Sequence, residues 1–433
     1  MKIKESTIVR PARETPTTRL QSSNLDLLVA RIHLLTVYFY KPTSSENFFD
    51  AKVLKEGLSQ ALVHFYPVAG RLQRDENGRI EIDCNGEGVL FVEAESSRVM
   101  DEFGDFTPSF EMLELVPEVD YSDHISSFPL LILQLTSFRC GGVCLGVGWH
   151  HTLADGSSAM HFINSWSDVT RGLSVHIPPF IDRTPLAAGN PPTPTFDHAE
   201  YDPPPSMNTL DQNGKYQSSE KPACTKILKL TLDQINTLKA TSKQQDGATK
   251  YSTYETLAAH IWRCMCMARE LDADQPTRLY IATDGRSRLR PPLPSGYFGN
   301  VIFTTTVTSL SGDIKTETLV QTIKRLRESL KRMDNEYLRS ALDHLQVQPD
   351  LGALVRGPTT FKSPNLNVNS WISLPTHDAD FGWGRPLHMG PASVLYEGTV
   401  YILKTPAKDG GLSVIIRLED DILQRFETLL CDF

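Results

Sequence analysis

Apolar and polar residues along the chain fall into two series in which helix-like and strand-like spacing alternate. In the first, Val53, Leu54, Leu58, Ala61, Leu62 and Phe65 recur near helical spacing between Phe48 and Phe65, with Asp50 placed to cap them. Short apolar runs follow over Arg79–Cys84, Gly88–Val92, Leu130–Leu135 and Gly142–Gly148, which predicts a strand-rich half. Helical spacing returns after Gly156 through Met160, Phe162, Ile163 and Trp166. The second series opens with a strand near Thr225 and a helix over Leu232–Ser242. A capping box, Ser252 to Glu255, precedes a helix carrying Leu257, Ile261 and Met265. Leu319, Ile323, Leu326 and Leu330 predict one amphipathic helix over Lys315–Met333. Strands are expected over Tyr396–Lys404 and Leu412–Leu418, joined by a Gly-rich turn at Asp409–Gly411. There is no internal repeat, heptad run or low-complexity tract.

Between the two series the composition changes. Asp182 to Pro205 holds seven prolines, at 185, 191, 192, 194, 203, 204 and 205, and the polar run Asn208–Lys221 follows. Such a stretch is expected to cross the surface as a linker. At 433 residues the chain exceeds one core, so two units of about 200 residues are the default. The boundaries fall at 1–181, a linker over 182–224, and 225–433. Mixed strands and helices in both halves indicate an α/β (mixed α+β) fold.

Hydrophobic content of 40% and charged content of 22% are those of an ordinary globular protein. A net charge of -9 argues against nucleic acid as a partner, so anionic ligands need a local basic patch. The polar start Met1–Ser6 has no secretory apolar core, and no run of eighteen apolar residues occurs, which points to a cytoplasmic protein without integral membrane association. Seven scattered cysteines suggest neither a disulfide framework nor a Cys-pair metal site.

The candidate chemistry lies in His151-Thr-Leu-Ala-Asp155-Gly156, directly after the Gly142–Gly148 run. That position is a strand-to-helix junction, where a side chain can face a cleft. An imidazole there can take a proton from an alcohol at neutral pH, although a hydrogen-bonded core histidine fits the same pattern. Strand alternation sends His150 and His151 to opposite faces, so only one can serve. No Gly-x-Ser-x-Gly elbow accompanies Asp155, which argues against a serine relay. His150, His151 and Asp155 also lack the spacing of a zinc site, and no metal is expected.

The chain resembles the plant BAHD acyltransferases nearly end to end. The resemblance rests on His151 to Gly156, on Asp380-Phe-Gly-Trp-Gly384, on Tyr297-Phe-Gly-Asn300 and on Phe65 to Leu72. Arg31 to Pro42, Gly142–Gly148 and His161 to Trp166 are similar to the hydroxycinnamoyl-CoA transferases that acylate quinate or shikimate. It implies two chloramphenicol-acetyltransferase-like domains with a channel at their interface, and a segment around Pro375–Ser393 that packs on the first domain. It also implies a monomer that needs no cofactor, acyl-CoA being a substrate.

The same resemblance assigns roles. His151 is the base, Trp371 the donor to the oxyanion, with a packed strand aromatic as the equal alternative, and Asp155 a structural carboxylate paired with Arg286 or Arg288. Gly156, Asp380, Gly382, Trp383 and Gly384 are architectural, and Asp380 is expected to pair with Arg385. Thr36, Tyr38, Tyr40, Arg356 and Asn369 are expected at the acceptor, Arg356 gripping its carboxylate in the bidentate manner open to a guanidinium. Lys250, Ser252 and Thr253, at a predicted helix N-terminus, are expected to meet the CoA phosphates; Arg286, Arg288 and Arg290 are weaker candidates. Departures are Asn369, Ser373, Trp149, His388 and Lys404. Trp149 is expected to narrow the acceptor pocket, and His388 with Lys404 to add cationic character. Quinate is the first expected acceptor of a hydroxycinnamoyl group, with tartrate or shikimate as alternatives. A thioester hydrolase and a non-catalytic binding protein are the competing classes.

Overall fold

A computed structural model describes residues 1–208, 222–247, 249–405 and 409–432. Fifteen strands occur in them. Strands β1 (Lys2–Val9), β2 (Arg19–Gln21), β3 (His33–Tyr40), β4 (Arg71–Arg74), β5 (Ile80–Asp83), β6 (Val89–Ser96), β7 (Leu131–Phe138) and β8 (Val143–His150) precede the helix Gly156–Thr170. Strands β9 (Ala223–Leu230), β10 (Pro276–Asp284), β11 (Ile302–Leu310), β12 (Leu366–Ser370), β13 (His388–Pro391), β14 (Thr399–Lys404) and β15 (Leu412–Glu419) follow it.

They build two mixed six-stranded sheets, in the orders β1-β6-β7-β8-β3-β13 and β11-β10-β12-β14-β15-β9, and a small sheet β2-β5-β4. Helices Ala51–His64 and Gly156–Thr170 cover one face of the first sheet, where Leu54, Leu58, Phe162 and Trp166 meet Tyr38, Leu133 and Leu145. The Trp166 indole, buried there, donates to the Leu54 carbonyl at 3.0 Å. Helices Thr253–Ala268, Leu319–Arg332 and Asp420–Leu430 cover the second sheet against Ile281, Val368, Ile402 and Val414. Removing such side chains from water stabilises each unit by about 2 kcal/mol per large aliphatic residue. No helix among the described residues is long and apolar enough to cross a membrane.

Three features depart from periodicity. Strand β13 lies in sequence between two strands of the second sheet, yet it completes the first, with Met389 opposite Tyr38 and Gly390 opposite Val37. The stretch Lys315–Met333 is not one helix. Ser311–Thr316 ends, and Thr318 restarts the chain as Leu319–Arg332 through a capping box with Gln321. That Thr-x-x-Gln signal lies inside the amphipathic run and outweighs it. The proline-rich segment does more than cross the surface: Arg183, His198 and Glu200 are buried. Its polar continuation beyond Asn208 falls outside the described residues as far as 221.

Candidate active site

Strand β8 ends at His150 and the chain turns, so the two histidines part. His150 is fully buried, stacked on Phe128 (5.6 Å between centroids) and edge-on to His33 (5.1 Å). Burial holds its imidazole well below the usual histidine range, and it is a neutral core group. The backbone N–H of His151 donates to the Ile32 carbonyl at 3.0 Å, tying the turn to the start of β3. The His151 ring is half-buried; Nδ1 is sealed from solvent, and Nε2 is the open nitrogen. Burial lowers its pKa, opposed by the His151 and Ala154 carbonyls and the Asp155 charge, so the ring is neutral at neutral pH.

Asp155 serves three neighbours at once. It caps the helix Gly156–Thr170 by accepting from the Ser158 N–H at 3.1 Å. Both oxygens take the Arg286 guanidinium in a fork, each at 2.9 Å, and Oδ2 also accepts from the Val301 N–H at 2.9 Å. Arg288 instead donates to the carbonyls of Leu330 and Met333, and Arg290 to those of Ser287 and Leu289, so this arginine cluster is turned to the protein's own backbone.

Residues that the motif does not contain hold the turn as well. The Asn300 amide donates to the His151 carbonyl (2.9 Å) and to Asp26 Oδ1 (2.9 Å). Asp26, 1% exposed, also accepts from Arg183 Nε at 3.1 Å, and Arg183 donates onward to the Leu153 carbonyl at 3.3 Å. Asn300 closes the Tyr297–Asn300 stretch, so that signal was present in the sequence. Asp26 and Arg183 carried none.

Trp371 follows the last residue of β12, its backbone N–H bound to the Ile402 carbonyl at 2.8 Å. It packs against the core clusters of both halves and edge-on to Tyr401 at 5.1 Å. No acceptor among the described residues takes its indole N–H. The strand exit lies on the helix that begins at Gly156: Asn164 donates to the Pro375 carbonyl at 3.3 Å.

On β3, alternation turns Thr36, Tyr38 and Tyr40 to one face, but only Thr36 is partly open. Tyr38 and Tyr40 correct the expectation of a pocket lining. Both are buried, the first donating to Met160 Sδ at 3.5 Å and the second to the Ala379 carbonyl at 2.9 Å. Trp149 is a second correction. Its indole is buried between Phe162 and Phe298 and donates to the Ala154 carbonyl at 3.2 Å, so it supports the turn from beneath and narrows no pocket. Asn369 sits on β12 opposite Tyr401, half-buried.

The Arg356 guanidinium donates to Thr304 Oγ1 (2.7 Å) and to the Glu200 carbonyl (2.8 Å), and lies over the rings of Tyr201 and Tyr280. All of these partners are neutral, and no carboxylate pairs with it among the described residues. Burial lowers its pKa. A desolvated cation whose hydrogen bonds go only to neutral oxygens keeps its charge available to an anion.

Ser252 caps the helix Thr253–Ala268 in a reciprocal box with Glu255, and Glu255 is clamped by Arg327 at 2.7 and 2.9 Å. The Ser252 hydroxyl and the helix end are therefore answered internally, which corrects that part of the phosphate expectation. Lys250 is exposed, and Thr253 accepts from Lys239 at 3.4 Å. Lys239 is a cation that the spacing did not single out.

Asp380 accepts from the N–H groups of Gly382 (2.8 Å) and Gly384 (2.9 Å), both glycines at φ near +100°, where a side chain would strain the backbone. Arg385 pairs with Asp378 at 3.2 Å, not with Asp380. Phe381 and Trp383 anchor this turn on Phe49 of the first half. His388 and Lys404 line a cavity of about 160 Å³ between β13 and the face of β9, β15 and β14. His388 stacks on Phe106 at 4.6 Å, and burial drives its pKa to about 3, so it is neutral and adds no cationic character. A groove of about 830 Å³ between β1 and the helix Ala51–His64 contains none of the expected site residues.

Comparison with known proteins matches the Transferase family over residues 1–430. The chain is 59% identical to a shikimate O-hydroxycinnamoyltransferase of Nicotiana tabacum, over all of both chains. It is 54% identical to a hydroxycinnamoyltransferase of Narcissus pseudonarcissus, covering 99% of this chain and 98% of the relative. Among solved structures it is similar to F. graminearum TRI101 complexed with coenzyme A and deoxynivalenol, with a TM-score of 0.77 and 20% identity, covering 94% of this chain and 96% of that one.

Proposed function

We propose, from the premise that this chain belongs to the BAHD acyltransferases of the Transferase family, that it transfers a hydroxycinnamoyl group from CoA to a hydroxyl of a hydroxy carboxylic acid, quinate foremost. The observation that carries the reading is the state of His151: a neutral imidazole with Nδ1 sealed and Nε2 open, while the Asp155 carboxylate is spent on Arg286.

The thioester is already activated, so the reaction needs only an alcohol deprotonated beside its carbonyl. His151 Nε2 takes the hydroxyl proton as the alkoxide oxygen bonds to the thioester carbon. The charge that develops on the carbonyl oxygen meets the unclaimed N–H of Trp371. Collapse breaks the C–S bond, and the CoA thiolate recovers the proton from the His151 imidazolium. No covalent enzyme intermediate is required. Thr36 and Asn369 bound the acceptor, and Arg356 holds its carboxylate by a charge-assisted contact that its neutral hydrogen-bond partners leave available. Lys250, Thr253 and the Lys239 that donates to Thr253 receive the CoA phosphates.

Offering quinate, shikimate and tartrate together with caffeoyl-CoA and identifying the ester formed tests the acceptor. Quinate ester is the expected product. Consumption of caffeoyl-CoA at the same rate without any acceptor marks a hydrolase and refutes the reading.

A further inference from the structure

The proline-rich linker carries a buried polar cluster that the chemistry above does not use. His198, 4% exposed, lies with Nδ1 2.9 Å from Glu200 Oε1 and Nε2 2.9 Å from Ser340 Oγ. Ser340 Oγ also accepts from the N–H groups of Thr195 (2.8 Å) and Phe196 (3.0 Å). Its own proton therefore goes to Nε2, and Nδ1–H goes to Glu200. Tyr337 donates to the other Glu200 oxygen at 2.7 Å. A serine, a histidine and a carboxylate in this order have the connectivity of a hydrolytic relay. Here the serine is 3% exposed and both its lone pairs are taken by backbone N–H groups, so no substrate reaches it.

What the cluster fixes is the linker backbone. Ser340 and Tyr337 stand on the helix Asn335–Gln346, whose Asp343 also accepts the N–H groups of Gly189 and Thr193, at 2.6 and 2.9 Å. On the far side Arg278 donates to the Ala199 and Asp202 carbonyls. Between these anchors the Glu200 carbonyl accepts from Arg356 Nη2 at 2.8 Å, and Tyr201, stacked on His344 at 5.5 Å, presents its ring to the same guanidinium. Displacing that carbonyl leaves a buried carboxylate and imidazole unpaired, which makes the position stiff.

We infer that the His198–Glu200–Ser340–Tyr337 clasp is a positioning device for Arg356, aiming its guanidinium at the acceptor carboxylate. The inference rests on the carboxylate-binding reading of Arg356. Glu200 and Tyr337 are positioning residues: they touch no substrate and act through the Glu200 carbonyl.

The test compares Tyr337→Phe, Glu200→Gln and Arg356→Met, using the acceptor acid identified by the competition assay and its methyl ester, which lacks the charge. In Tyr337→Phe and Glu200→Gln the acceptor KM is expected to rise about tenfold while kcat and the KM for caffeoyl-CoA stay within about twofold. With the methyl ester, variants and parent should have the same KM. A rise for acid and ester alike indicates general distortion and overturns the inference. An unchanged acid KM in these variants, beside a rise of about 100-fold in Arg356→Met, overturns it while the reading of Arg356 stands. No change in Arg356→Met overturns the reading beneath it. Should Glu200→Gln not fold, Tyr337→Phe, which loses a single hydroxyl, carries the test.

Discussion

Asp155 and Arg286 form a two-point ion pair, Nη1 to Oδ2 and Nη2 to Oδ1 at 2.9 Å each, and neither carboxylate oxygen touches the His151 ring. The aspartate of the motif is thus a clamp. It joins the cap of the first-half helix to the Arg286 and Val301 backbone region of the second half, and fixes the five-residue turn on which the imidazole rides.

Asp155→Asn should therefore act through structure. It takes the buried counter-charge from Arg286 and leaves the guanidinium only the exposed Asp284 at 3.2 Å, and a stability loss of about 3 kcal/mol is expected in denaturant unfolding, together with a large fall in kcat. A relay role would give an enzyme of unchanged stability and a displaced pH profile. Measuring unfolding and pH–rate curves on the same variant separates the two.

The pH profile of the parent enzyme follows from the direction of the His151 shift. The base must be neutral, its pKa is lowered from 6.5, and activity is present above the folded pKa and lost as pH falls through it. The acidic limb of kcat/KM should lie below 6.5. A limb at or above 6.5 would mean that burial does not dominate at this ring.

Much of the site was legible because it is local. The turn from β8 into the capped helix could be read from a short apolar run, two histidines and an aspartate; His150 and His151 part as expected, though through the end of β8 at His150 and not through strand parity. Other parts are set by contacts that one stretch of sequence does not encode. Tyr38 and Tyr40 share a face with Thr36, yet how far that face is covered depends on Met160 and on Ala379, distant in the chain. The same holds for Trp149, which the packing of Phe298 places in the core, and for β13, whose partner strand is over 300 residues away. Proline density raised the expectation of a linker but said nothing of His198 and Glu200, because burial there comes from the helix Asn335–Gln346.

Trp371→Phe keeps an aromatic ring against Tyr401 and removes the indole N–H with its five-membered ring. If that N–H meets the developing oxyanion, kcat falls about 100-fold with little change in either KM. Equal rates for the two proteins would reduce Trp371 to a packed aromatic at the seam between the halves.

The most direct test of the account is the steady-state rate of ester formation by His151→Ala with hydroxycinnamoyl-CoA and the acceptor, with folding checked by thermal melting. General-base catalysis predicts a loss of about 10³-fold or more in kcat in a protein that melts as the parent does. A folded His151→Ala protein that retains ester formation within about tenfold of the parent would contradict the assignment of the base.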